Sequence, residues 1–357
     1  MMNKNRLILF IIAIVSCVLI LLFYVFKTPD KSILTINTGS RVSGFDISSD
    51  GLTIVSVGQN TPHASLWEFS SGKMTGQIPL PETGAIDVAF VPHRRVVSIP
   101  WTDGSVRFFN IDNGAEVDRL EINPKSTSNI EDGRFPGLNL ANALSNIEFS
   151  PDGDTLAASE FYGPVWIWSI SKHKLLFSLY DGTIANCKSA EPIAFSLDSK
   201  FVSVGCEASN SLVWRLSDGK LMYNLSDKTM RRWVHVAFSA KGFLATGGDF
   251  DTVQLWSIRG GKLIATLSEQ NSGALSLSFN SSGNLIAVGG GNIPNDGNST
   301  RSYDTKIRLW NTDTKTILAR FAGHTLNVTK IMFIDNDHHI VSSSEDGTIK
   351  IWEVPKI

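Results

Sequence analysis

Residues 342–357 read SSSEDGTIKIWEVPKI. Within Thr348–Trp352, Ile349 and Ile351 fall on one face of an extended chain and Lys350 and Trp352 on the other, the two-residue period of a strand. A polar turn, Glu345-Asp346-Gly347, precedes it. The stretch thus ends like the third strand of a small antiparallel unit, and a fourth strand must come from elsewhere.

Working outward, the same pattern recurs, and self-similarity at a fixed period outranks other fold signals. Seven times an apolar strand runs into a polar turn: FDISSDG, VAFVPHR, IEFSPDG, IAFSLDS, VAFSAKG, LSFNSSG and IMFIDND. The equivalent positions are Ile47, Phe90, Phe149, Phe195, Phe238, Phe279 and Phe333. Their spacings are 43, 59, 46, 43, 41 and 54, a period in the low forties with insertions around Asn123–Asn142 and Asn292–Tyr303. Each unit closes on a strand such as SLWEF, VRFFN or IRLWN. These strands bring Trp67, Phe109, Trp168, Trp214, Trp256, Trp310 and Trp352 into register. No segment after residue 31 carries helical periodicity.

These residues resemble the WD-repeat family over residues 32–357. One Gly-His dipeptide is present, at Gly323-His324, and no copy has a literal Trp-Asp. The resemblance implies an all-β, seven-bladed propeller of four-stranded blades. It also implies closure by an N-terminal strand, and KSILTINTGS at Lys31–Ser40 reads as that strand. Such pairing would cover an otherwise open sheet edge.

The N-terminus differs in kind. Leu7–Phe26 holds twenty residues without a charge, long enough to span a bilayer as a helix. The expected organisation is a tail at 1–6, a transmembrane signal-anchor at 7–26, a linker at 27–31 and the propeller at 32–357. Lys4 and Arg6 before the span, against Lys27 and Lys31 after it, leave the charge bias nearly balanced. A short cationic tail held inside places the propeller on the extracytoplasmic side of a single-pass protein. The alternative is that Ile14-Val15-Ser16-Cys17, which resembles a bacterial lipobox, makes the chain a lipoprotein subunit of an envelope complex.

The chain has 42% hydrophobic and 18% charged residues with a net charge of −2, an ordinary globular balance. It lacks the basic excess that nucleic-acid binding requires. No phosphate loop, nucleophile elbow, zinc spacing or dinucleotide fingerprint occurs, so no cofactor, metal or small-molecule substrate is expected. Ser342, Ser344, His324 and Asp346 contain the residue types of a nucleophilic triad. The family resemblance instead implies a structural network, in which they join Trp352 to pin loops.

By the same resemblance, Cys187 and Cys206 stand where blade 4 would carry two members of that network. Their loops should face each other, and a disulfide is expected, with buried free thiols as the alternative. The loops joining second and third strands, and those joining blades, should share one face. Trp101, Phe161, Tyr162, Arg231, Arg232, Phe250 and Tyr303 fall on them. Aromatic and arginine side chains dominate binding energy at interfaces, which makes these the expected partner-binding residues. The resulting expectation is a non-catalytic, membrane-tethered scaffold for a protein or peptide. The alternative, an extracytoplasmic propeller enzyme with an axial cofactor or metal site, would need loop carboxylates or histidines converging on the axis.

Overall fold

The computed structural model describes residues 30–58, 61–80, 85–122, 144–160, 164–179, 190–206, 210–226, 234–248, 252–268, 273–291 and 304–356. The expected membrane span, 7–26, lies outside them. Among the described residues no helix is long and apolar enough to cross a membrane.

Among the described residues twenty-eight strands form seven antiparallel sheets of four. Their first strands are Val42–Ile47, Ala89–Phe90, Leu144–Phe149, Ala190–Phe195, His235–Phe238, Gly273–Phe279 and Val328–Ile334, which define blades 1 to 7. Each first strand contacts that of the next blade, and Val328–Ile334 contacts Val42–Ile47, so the inner strands close a ring. The molecule is a seven-bladed β-propeller.

Six blades are built from consecutive strands; the seventh draws on both ends of the chain. Leu34–Asn37 lies antiparallel to Thr348–Glu353, pairing Leu34 with Ile351, Thr35 with Lys350, Ile36 with Ile349 and Asn37 with Thr348. Backbone bonds from Ile33 N–H to Ile351 O (2.8 Å) and Thr38 N–H to Gly347 O (3.0 Å) extend the seam. The fourth strand missing after Trp352 is therefore supplied by residues 34–37.

In the six continuous blades the third and fourth strands form a hairpin, and the register slips directly before Trp67, Phe109, Trp168, Trp214, Trp256 and Trp310. Each hairpin turn contains a residue at positive φ: Gly72, Gly114, His173, Gly219, Gly261 or Lys315. A left-handed residue followed by a bulge is how longer hairpin loops match strand twist. The blade 7 pair has no hairpin and no slip.

The hydrophobic core is divided among the blade junctions. Seven buried clusters each join two neighbouring blades, for example Val57, Leu66 and Ile78 with Val88, Val97 and Ile99 between blades 1 and 2. Every third-strand aromatic packs against the preceding blade: Trp67 against blade 7, Trp352 against blade 6. No blade buries its faces without both neighbours. Closing the ring is thus a condition for the core as well as for the sheet edge.

The seam carries a buried charge. Lys350 is 4% exposed, and its ammonium donates to Asp30 Oδ2 and to Thr35 Oγ1 (2.9 Å). Burial works against ionisation of Asp30, but Lys350 and the Ser32 N–H and hydroxyl outweigh it and hold the carboxyl below the usual range. A carboxyl depressed on folding contributes stability that is lost as pH falls through its folded value. Asp30→Asn should lower stability by about 1–3 kcal/mol in urea unfolding at neutral pH, since it strands a buried ammonium at a partly exposed partner. Lys350→Met placed on top should recover part of that loss, and two additive losses would contradict the pairing.

Candidate functional site

The blade 7 network assembles from four short elements. Trp352 Nε1 donates to Ser342 Oγ (2.8 Å), Ser342 Oγ meets His324 Nε2 (2.8 Å), and His324 Nδ1 meets Asp346 Oδ2 (3.0 Å). Asp346 also accepts from the Thr325 N–H (2.9 Å) and the Thr348 hydroxyl (2.6 Å). Burial opposes ionisation of Asp346, but these hydrogen bonds, led by His324, prevail and hold the carboxyl far below the ordinary range. A tautomer with Nδ1–H toward Asp346 leaves Nε2 to accept from Ser342, so every group is used. The Ser-His-Asp order imitates a hydrolase triad, yet Ser342 is fully buried and its oxygen already accepts an indole N–H. No substrate reaches it. Ser344 joins at the Asp346 end: its hydroxyl accepts from the Asp346 N–H (3.1 Å) and donates to Leu326 O (3.2 Å), which pins the crossover from blade 6.

The other blades keep parts of the device. Trp67 Nε1 donates to Ser56 Oγ and Trp256 Nε1 to Thr246 Oγ1, both at 2.9 Å. At the corresponding place blade 3 has Ala158 and blade 6 has Val288, and the buried Nε1 atoms of Trp168 and Trp310 have no hydrogen-bond partner. Blade 2 replaces donor and acceptor together, with Phe109 and Ile99. The turn aspartate persists in blades 2 and 6, where Asp103 pairs with Arg107 (2.7 Å) and Asp304 pairs with Arg308.

Connections between second and third strands, and between blades, leave on one face, as the antiparallel order of each sheet requires. Of the residues expected to bind a partner there, Trp101 is described, and it is not a rim side chain. It is 5% exposed, packs in the cluster between blades 1 and 2, lies 6.2 Å from the Phe109 ring, and carries the Arg107 guanidinium 4.2 Å over its face. An aromatic immediately after a second strand turns back into the blade junction when an arginine on the third strand caps it. Phe161, Tyr162, Arg231, Arg232, Phe250 and Tyr303 lie outside the described residues. Cys206 is fully buried between blades 3 and 4 and is disulfide-bonded, whereas Cys187 lies outside the described residues.

A second polar set, not anticipated from the loops, sits on the inner strands. A first strand has one edge without a strand partner, and its N–H groups need acceptors. Asp46 Oδ2 accepts from Phe90 N–H of the next blade (2.7 Å), Asp87 Oδ2 from Ile147 N–H (3.1 Å) and Asn146 Oδ1 from Ile193 N–H (3.3 Å). Asn146 Nδ2 donates back to Asp87 Oδ2 (2.8 Å). Gly44 is required beside them, because a Cβ there would lie 2.7 Å from Asp87 Oδ1.

Glu148 and Lys330 belong to the same inner surface. Burial raises Asp46, Asp87 and Glu148, the last to about 8, while Lys330 pulls each down. Burial would lower Lys330, but the three acids outweigh it and raise it. Asp46, Glu148 and Lys330 keep partial solvent contact along the axis. The flanking blades replace bulk water on their other sides, and this decides the direction. His235 of blade 5, at the equivalent place to Asp87 and Lys330, is pushed down by burial to about 4 and stays neutral near pH 7. Among the described residues no three His, Cys, Asp or Glu side chains are placed to hold a metal ion.

Residues 261–311 and 315–353 match the family described as WD domain, G-beta repeat. The similarity to WD repeats thus covers two segments that run from the outer strand of blade 5 to the third strand of blade 7. Each matched repeat starts at the outer strand of one blade and ends on the third strand of the next, so the sequence unit is displaced by one strand from the structural one. The chain is 27% identical over 211 residues to Autophagy-related protein 16 of Arabidopsis thaliana, covering 58% of this chain and 38% of that protein. It is 31% identical over 141 residues to Protein tipD of Dictyostelium discoideum, 37% of this chain and 21% of that protein. It is 32% identical over 111 residues to Target of rapamycin complex subunit LST8 of Saccharomyces cerevisiae, 31% of this chain and 33% of that protein. The chain thus spans well under half the length of each of these relatives.

The WD network gives two substitutions of opposite sign. Ser342→Ala leaves the Trp352 indole without an acceptor and should cost about 2–3 kcal/mol in urea unfolding, whereas Val288→Thr offers the Trp310 indole a near-isosteric acceptor and should gain up to about 1 kcal/mol. A loss from both would show that the hydroxyl's own desolvation decides at these sites.

Proposed function

We infer that the chain is a membrane-tethered, non-catalytic scaffold that binds a protein or peptide partner through the face bearing the blade crossovers and second-to-third-strand loops. The observation that carries this reading is the internal use of the reactive side chains. Ser342, His324 and Asp346 are spent on a buried indole and on loop N–H groups. Asp46 and Asp87 are spent on the inner-strand amides of the next blade. A closed ring that consumes its polar groups in this way is a rigid frame, and loops held on such a frame bind with little ordering cost.

The relatives support the same direction. One of them is by its name a subunit of a complex. For the membrane, the support is the uncharged run Leu7–Phe26, which would lead directly into the closing strand at Leu34. For the extracytoplasmic side, the support is the charged tail at Lys4 and Arg6 together with a bonded Cys206, whose partner we take to be Cys187.

The test is recovery of partners from solubilised membranes by the full-length protein and by a Phe161→Ala, Tyr162→Ala, Phe250→Ala variant. Trp101 is left intact because its removal would open the junction between blades 1 and 2. Loss of specific partners at unchanged melting temperature is expected. The same partners recovered in equal amount would remove these three residues from the site.

Peptide mass mapping without reductant should show a fragment joining Cys187 to Cys206. Free thiols at both positions in native material would refute the pairing and take away its support for an oxidising compartment.

A further inference from the structure

We propose that closure of the ring is proton-linked: Asp46, Asp87, Glu148 and Lys330, on blades 1, 2, 3 and 7, retain one shared carboxyl proton in the closed ring, and opening of the blade 7 seam releases it.

The charge count comes first. Three carboxyl groups and one ammonium occupy the inner surface of four consecutive blades, and each acid is coupled electrostatically to Lys330. One cation does not balance three anions. Asp46 is favoured as an anion by two backbone donors, Ile47 N–H (2.8 Å) and Phe90 N–H. Asp87 is favoured by Val88 N–H (2.9 Å), Ile147 N–H and Asn146 Nδ2. Among the described residues no donor meets the Glu148 carboxyl, although its backbone lies in the ladder opposite Ala157. The donors therefore place the retained proton on Glu148.

Among the described residues the charges acting on Glu148 are Lys330 of blade 7, Asp46 of blade 1 and Asp87 of blade 2. The bond from Ile147 N–H to Asp87 Oδ2 holds Asp87 beside its strand. On the blade 4 side, strand Ala190–Phe195 carries Ala194 at the position equivalent to Glu148, Ile193 is buried between blades 3 and 4, and the Glu191 side chain lies outside those described. Around Lys330, strand Val42–Ile47 offers Asp46 and the Phe45 ring, 5.9 Å from the ammonium, and strand Gly273–Phe279 offers serines. His235, on the same inner layer, remains neutral.

The place that gives way follows from the topology. Repulsion among inner strands is relieved by widening the ring. Blades 1 to 6 are each held by continuous chain, whereas blade 7 is joined through the four pairs of Leu34–Asn37 with Thr348–Glu353. The sign is set by linkage. An unfolded glutamate releases its proton near 4.5, and the folded chain keeps it until about 8. Through that window the closed form holds a proton that the open form has lost, so closure weakens as pH rises and is level above it.

The experiment compares full-length wild type, Glu148→Gln and Lys330→Met at pH 5 and pH 8. Melting temperature should fall from pH 5 to 8 in wild type and fall clearly less in Glu148→Gln. Hydrogen exchange, corrected for the intrinsic rate, should accelerate about tenfold between these pH values at Leu34–Asn37 in wild type, more than at the blade 2 strand Val96–Pro100, and not in Glu148→Gln. Lys330→Met should show a deficit against wild type that is larger at pH 8 than at pH 5. Parallel melting profiles for wild type and Glu148→Gln would overturn the proposal. So would equal acceleration in blade 2, or a Lys330→Met deficit independent of pH, which would mark Lys330 as packing alone.

Discussion

The pairing of Leu34–Asn37 with Thr348–Glu353 is short, four residue pairs, but every other feature of the ring depends on it. Each blade is a twisted sheet of four strands with two faces to bury and no face of its own to bury them against. The seven apolar clusters lie between blades. The cluster between blades 7 and 1 contains Ile36 from the closing strand together with Phe45, Trp67, Ile349 and Ile351. Without that strand this cluster loses its cover, and both neighbouring blades lose one of their two supports. The buried Lys350, neutralised by Asp30 across the length of the chain, ties the same two ends electrostatically and makes an unclosed ring costlier still.

The repeat is conserved in geometry more than in chemistry. Register slips and left-handed turn residues recur in six hairpins, while the polar partner of the third-strand indole is present in blades 1, 5 and 7 and absent beside Trp168 and Trp310. A ring tolerates this because the aromatic's main contribution is apolar area against the preceding blade, and the N–H bond adds only a smaller amount. Blade 7, which lacks a hairpin between its third and fourth strands, holds the fullest network, from Trp352 to Asp346. The blade with the weakest covalent continuity is thus the one with the most complete side-chain bonding.

Polar residues on the inner strands serve a different need. The axial edge of a propeller blade is an open row of backbone donors, and in blades 1 to 3 Asp46, Asp87 and Asn146 meet donors on the following blade. This stitching concentrates acids in one sector, opposed by a single lysine from blade 7. The electrostatic imbalance is a by-product of satisfying the backbone, and it lies beside the seam where the ring is joined.

Much of the architecture was open to inspection in the chain itself. Seven strand-and-turn copies, the aromatic register from Trp67 to Trp352, and an unpartnered strand at each end required only local periodicity and counting, because a strand's face is set by its neighbours two residues away. The fate of individual side chains was not readable in that way. Trp101 resembled a loop aromatic, and only the packing of blade 2 on blade 1, with Arg107 over its ring, turned it inward. Asp46, Asp87, Glu148 and Lys330 are separated by tens to hundreds of residues and look like stray polar positions in apolar strands. Their meeting is a property of the closed ring, since curvature brings four distant strands to one axis, where the flanking blades leave only partial contact with water and the charges no longer act independently.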